Sequence, residues 1–183
     1  MQNNQRNIII YIIVLTLCVM YATQPLQPLL ANEFDVSIVS ASYFTAIIMF
    51  FLAIAPIVYG YIIEHISSKK LLQIALIVLF ITNIFLTFST NFEFFSFTRT
   101  IEAIVIPALL TTSMAILASD KQNIKQNMSI YVAATVFGGL FGRVVSGFVS
   151  DIFGWRAVFI MLSISMLIGI YLLQKLEFEG ETN

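Results

Sequence analysis

Six apolar runs, each long enough to cross a bilayer and each separated from the next by a short polar break, limit what this chain of 183 residues can become. The runs cover residues 8–30, 38–63, 71–88, 94–118, 128–149 and 157–173. A helix needs about 20 apolar residues, at about 1.5 Å each, to span the roughly 30 Å hydrocarbon layer. Composition agrees: 59% of the residues are hydrophobic and 10% charged, against about 45–50% and about 25% in soluble domains. The solvent of this fold is lipid, and the reading is an all-α, polytopic membrane protein of six transmembrane helices. The apolar run behind Arg6 continues to about Leu30 without a small-x-small cleavage site, so it reads as a retained first helix and not as a leader.

Charge sets the orientation. The breaks are short, so neighbouring spans are antiparallel. With both termini cytoplasmic, the inner segments hold Arg6, Lys69, Lys70, Lys121, Lys125 and Lys175, and the outer loops hold Arg156. That asymmetry follows the positive-inside rule, and the opposite orientation would invert it. A net charge of −1 with scattered basic residues gives no reason to expect nucleic acid as a partner. Cys18 is the single cysteine and lies within the first run, so neither an intrachain disulfide nor a metal site is expected. All four prolines, Pro25, Pro28, Pro56 and Pro107, fall inside runs, where each removes a backbone donor and can bend its helix.

The two halves of the chain echo each other. At an offset of 87, Gly60-x3-Glu64-x4-Lys69 falls on Gly147-x3-Asp151-x4-Arg156. Both copies end the middle helix of a three-helix group, one on the inside and one on the outside. This is the pattern of a 3+3 inverted repeat, with units of about 1–90 and 91–175, and such repeats are a device of secondary transporters.

Three ionisable residues lie deep within spans: Arg99, Glu102 and Arg143. At about 1.5 Å per residue they sit roughly 8, 12 and 9 Å from the outer ends. A charge near the bilayer centre costs about 2.5–3.5 kcal/mol on insertion scales, which makes all three proton-coupling or substrate candidates. Arg99 and Glu102 share a helix face and can pair, either as a structural tie between spans four and five or as a proton-coupling site at Glu102. Span five places a small residue at every fourth position, Ala134, Gly138, Gly142, Ser146 and Ser150, a stripe on which another helix can pack closely. Phe50, Phe51, Phe94, Phe95 and Phe97 read as lipid-facing or packing residues. The chain lacks the serine–histidine or paired-aspartate constellation of an intramembrane protease, since its one histidine is in a loop. It also lacks the arginine ladder of a voltage sensor. No enzymatic activity is expected.

The loop Gly60-Tyr-Ile-Ile-Glu64-His65-Ile-Ser67-Ser-Lys69-Lys70 resembles the major facilitator signature G-x-x-x-[DE]-[RK]-x-G-x-[RK]-[RK], with His65 at a basic position and Ser67 at the turn glycine. Arg99-Thr-Ile-Glu102-Ala103 is similar to that family's R-x-x-[QE]-G. Gly138-x3-Gly142-Arg143-x-x-Ser146-Gly147 is similar to the G-x-x-x-G-P-x-x-G-G signature of efflux members, with Arg143 at the proline position. Tyr21-Ala-Thr-Gln24-Pro25-Leu26-Gln-Pro28 and Asp151-x3-Trp155-Arg156 extend a pattern typical of bacterial efflux permeases.

The resemblance implies half of a twelve-helix fold in a bacterial cytoplasmic (inner) membrane. It implies efflux of a small molecule by antiport, driven by the proton gradient without a cofactor. It also implies a gating loop at Glu64, His65, Lys69 and Lys70, and a span-five face that meets a carboxy-terminal half or a second copy. The alternative is a truncated or structural membrane protein without transport of its own. The acidic tail Leu176–Asn183 falls where the family's central loop would begin.

Overall fold

The structure is a computed structural model and describes residues 3–175; the acidic tail lies outside the described residues. The helices are α1 (Asn3–Tyr21), α2 (Gln27–Glu33), α3 (Ile38–Ala41), α4 (Tyr43–Ile63), α5 (Ser68–Thr87), α6 (Phe92–Ser119), α7 (Ile124–Phe153) and α8 (Trp155–Gln174). Among the described residues, six helical stretches are long and apolar enough to cross a membrane: α1, α3–α4 together, and α5 to α8.

The first apolar run is not one helix. Its chain leaves α1 at Tyr21, turns through Ala22–Leu26 and resumes as α2, where the sequence suggests a continuous span over 8–30. Proline explains the break: Pro25 has no N–H to continue the ladder and disfavours helical geometry at Gln24, while Pro28 fits the first turn of α2. Pro56 and Pro107, by contrast, lie within unbroken helices.

The joints are built from local chemistry. Ser67 caps α5 by accepting from the Lys70 N–H, so the serine at the motif's turn position starts a helix. Asn91 caps α6 through the Phe94 N–H. Below α6, Asn123 donates to the Asp120 carboxylate, which lowers its pKa. Gly154 alone joins α7 to α8 at φ 81°, a left-handed conformation that a side chain would strain. This one-residue joint shortens the expected outer loop. Asp151 lies in the last turn of α7, and Trp155 opens α8 as a buried core residue.

Four helix pairs make the most extensive contacts: α1 with α7, α4 with α6, α5 with α8, and α5 with α6. Exchanging the first, second and third spans with the fourth, fifth and sixth maps the first three of these pairs onto one another, the pattern of a 3+3 inverted repeat, whereas α5–α6 maps onto the less extensive α1–α8 pair. Burial is uneven. The apolar window of α6 is 61% buried, while that of α3–α4 is 11% buried, so α6 is the core of the bundle. At the end of the bundle opposite Asn3, Phe34, Phe44, Phe95, Trp155 and Phe159 form a ring cluster with centroid separations of 4.6 to 6.0 Å. Above it, Arg156 stacks on Trp155 and bonds both Glu33 and the Ser89 carbonyl.

Candidate functional site

The break in the first span is gripped from two sides by arginines. Arg99, on α6, is completely buried. Its Nη2 donates to the carbonyls of Val19 (3.0 Å) and Met20 (2.9 Å) and to Thr23 Oγ1 (3.3 Å). These carbonyls end α1 and lack helical partners because the chain turns at Ala22. Its Nε reaches the Phe44 carbonyl at the start of α4 (3.4 Å), and its Nη1 pairs with Glu102.

Glu102 is equally buried, and its other oxygen accepts from Thr82 Oγ1 (3.0 Å) and Asn83 Nδ2 (2.6 Å) on α5. The pair therefore ties α1, α4, α5 and α6 together. The sequence suggests a tie between spans four and five; the structure places its partners on spans one, two and three. The reason is direction: the Arg99–Glu102 face of α6 points into the bundle, away from α7. A buried ion pair offsets its desolvation cost when its remaining donors and acceptors are also bonded, and here the second Glu102 oxygen and the Nε and Nη2 groups of Arg99 all have partners.

Arg143 stands apart from this pair. It is half-buried on α7 and lies on the other side of the break. Its Nε donates to Gln24 Oε1 (2.6 Å) and its Nη1 to the Gly139 carbonyl (3.1 Å). Its guanidinium carbon lies 3.8 Å from the centroid of the Tyr21 ring, a cation–π geometry. No carboxylate pairs with it among the described residues. Arg99 and Glu102 balance each other, so Arg143 leaves the deep part of the bundle with one uncompensated positive charge.

The small-residue stripe of α7 is already occupied. A Cβ on Gly142 would lie 2.6 Å from Cys18 Cα, and one on Gly138 would lie 2.8 Å from the Val14 carbonyl. Ala134, Ser146 and Ser150 are buried as well. The expectation that this face awaits a carboxy-terminal half is therefore corrected: the stripe is the seat of α1. The opposite flank, with Val136, Leu140, Val144 and Phe148, is what α7 exposes. Gly147 sits at the edge of the stripe, where an added Cβ would lie 3.8 Å from Pro25 Cβ.

The loop between α4 and α5 is open. Glu64, His65 and Lys70 are exposed, Lys69 is half-buried, and Gly60 has open space around it. His65 Nδ1 lies 3.0 Å from the Tyr61 carbonyl, and its ring packs on Tyr61. In the repeat's second copy, Arg156 reaches across to Glu33 at 2.9 Å. Thr82, Asn83, Tyr21, Gln24 and Glu33 are the partners that sequence reasoning did not place in a site. A signal existed for the first four, which are polar or amphipathic side chains inside apolar runs.

Comparison with known proteins agrees with this architecture. The model of the Major Facilitator Superfamily matches residues 9–182. Among curated relatives, the uncharacterised MFS-type transporter YybF of Bacillus subtilis is 27% identical over 143 residues, covering 77% of this chain and 35% of its own length. The inner membrane transport protein YnfM of Escherichia coli is 25% identical over 143 residues, covering 77% and 34%. A crystal structure of a bacterial homologue of the human lysosomal transporter Spinster, inward-facing and unoccupied, superposes with a TM-score of 0.81 at 15% identity. It covers 97% of this chain and 44% of that one, a likeness of fold. The chain thus spans about a third of the length of these curated relatives.

Proposed function

Because the chain belongs to the Major Facilitator Superfamily, we propose that it supplies six helices of a proton-coupled efflux transporter for a small molecule, completed by a second six-helix unit. The observation that carries this reading is the interrupted first span, held between Arg99 and Arg143. Discontinuous helices and intramembrane charges mark the ligand sites of secondary transporters, where the surrounding bundle rocks about a fixed site. The pairing of helices under exchange of the two triplets supports a 3+3 inverted repeat. The basic residues at the ends of α1, α5, α7 and α8 support cytoplasmic termini.

Within this reading Glu102 is the coupling carboxyl. It takes up or releases a proton when movement of α6 against α1 draws Arg99 away, because losing that cation favours the protonated form. The inner loop at Glu64, His65, Lys69 and Lys70 then serves as the gating segment of the family motif. The bacterial cytoplasmic membrane is the compartment that supplies the proton gradient.

The test uses everted vesicles from cells that make the chain with its neighbouring reading frames. An imposed pH gradient is followed by dye quenching while a panel of organic acids and organic cations is added. Substrate-dependent dissipation is expected, and it should be lost in Glu102→Gln at unchanged protein level. Dissipation identical in Glu102→Gln would remove this carboxyl from coupling, and no response to any compound would overturn the transport reading.

A further inference from the structure

Among the described residues, Arg143 is a cation without an anionic partner. It lies ten residues before the end of α7 at Phe153, about 15 Å along the helix at about 1.5 Å per residue. Two of its five N–H donors are engaged, by Gln24 and the Gly139 carbonyl. Both acceptors are neutral. The Nη2 end makes no hydrogen bond among the described residues.

The group is also held in place. Tyr21 lies against one face of the guanidinium, and the Gly139 backbone anchors it from its own helix. Tyr21 packs where Gly139 has no side chain, since a Cβ there would meet its ring at 3.1 Å. The guanidinium lies along Gly139, where Nη1 would be 3.6 Å from an added Cβ. The exposed neighbours on α7, Val136, Leu140 and Val144, are apolar. A fixed, part-used guanidinium bordered by apolar side chains is the chemistry that recognises a carboxylate or phosphate attached to an apolar body.

We propose that Arg143, positioned by Tyr21 and Gln24, is an anion-receiving site, and that the molecule it takes is an amphipathic organic anion. This deepens the transport reading above and rests on it for the role of the bound molecule. The anion can come from a soluble molecule or from an acidic lipid, and the experiment separates the two sources.

The experiment measures binding, independently of transport. The full chain in phosphatidylcholine nanodiscs is titrated with decanoate, and with decanol as the uncharged control. Decanoate is expected to bind at least tenfold more weakly to Arg143→Gln, with partial retention in Arg143→Lys and no change for decanol. Gln24→Glu supplies an internal carboxylate where the amide oxygen now accepts, and should lose decanoate binding to the same extent while keeping the contact. Thermal stabilisation of the wild type by phosphatidylglycerol, absent in Arg143→Gln, would support the site and assign its anion to lipid.

Decanoate binding that is equal in wild type, Arg143→Gln and Gln24→Glu would overturn the proposal. So would a wild type that responds to neither decanoate nor phosphatidylglycerol. Intact charge-dependent binding without transport would fail the transport reading alone, and transport with charge-independent binding would fail this one alone.

Discussion

Arg99 and Arg143 read as arginines at similar depth in apolar runs, the first with Glu102 three residues on and the second with no acid nearby in sequence, and the fold treats them in opposite ways. Arg99 is sealed inside the bundle, with a carboxylate partner, three backbone carbonyls and a hydroxyl around it. Arg143 keeps one edge accessible, rests on a tyrosine and meets only neutral acceptors. The first satisfies the carbonyl ends of α1 and closes four helices on one another. The second leaves a charge available. A membrane arginine is therefore informative through its partners, and burial without a free donor points to assembly while a free donor points to a ligand.

The largest effect should come from removing the partner of the sealed arginine. Glu102→Ala leaves Arg99 buried and uncompensated, a loss of about 3–5 kcal/mol by comparison with other broken buried pairs. Thermal unfolding in detergent should show a large fall in midpoint, and a fall no larger than that of Arg143→Gln would break the contrast. Next comes the contact that carries Arg143 onto Tyr21. Gly142→Leu must push α1 from α7, because even a Cβ clashes with the Cys18 backbone, and overpacking of this kind costs about 1–3 kcal/mol or more. Folded yield of the isolated chain should drop; an unchanged yield with lost association between chains would restore the stripe to an intermolecular role.

Arg143→Gln should cost little stability, about 0.5–1 kcal/mol for the lost cation–π contact, because no buried carboxylate is stranded. A midpoint shift matching that of Glu102→Ala would show Arg143 to be structural. The smallest change belongs to a third arginine. Arg156 has an acidic partner but is 42% exposed, with Glu33 at 39%, and exposed pairs contribute about 0.2–1 kcal/mol. Arg156→Ala and Glu33→Ala, measured singly and together, should reveal weak coupling that fades with salt. Strong coupling would mean that a carboxylate partner matters more than burial.

Much of the fold was legible because bilayer thickness acts residue by residue. Apolar runs, loop lengths and the basic-residue count need no knowledge of what packs on what. The break at Pro25 was partly legible, since proline's missing donor is a local property, although its result, two helices and not one bent helix, was not. The stripe on α7 was legible as a packing surface, but its partner was not: any helix fits a groove of small residues, and contact with α1 decided it. Trp155 was misplaced in a loop because Gly154 needs only one residue to turn the chain, which brings the indole into the aromatic cluster.

The sequence by itself determined a six-span membrane bundle of the major facilitator kind, because hydropathy and motif spacing are local and lipid leaves few folds open. Tertiary structure decided which charge is spent and which is free. Whether a guanidinium finds its acceptors depends on carbonyls and side chains tens of residues away, and these meet it only when the helices close.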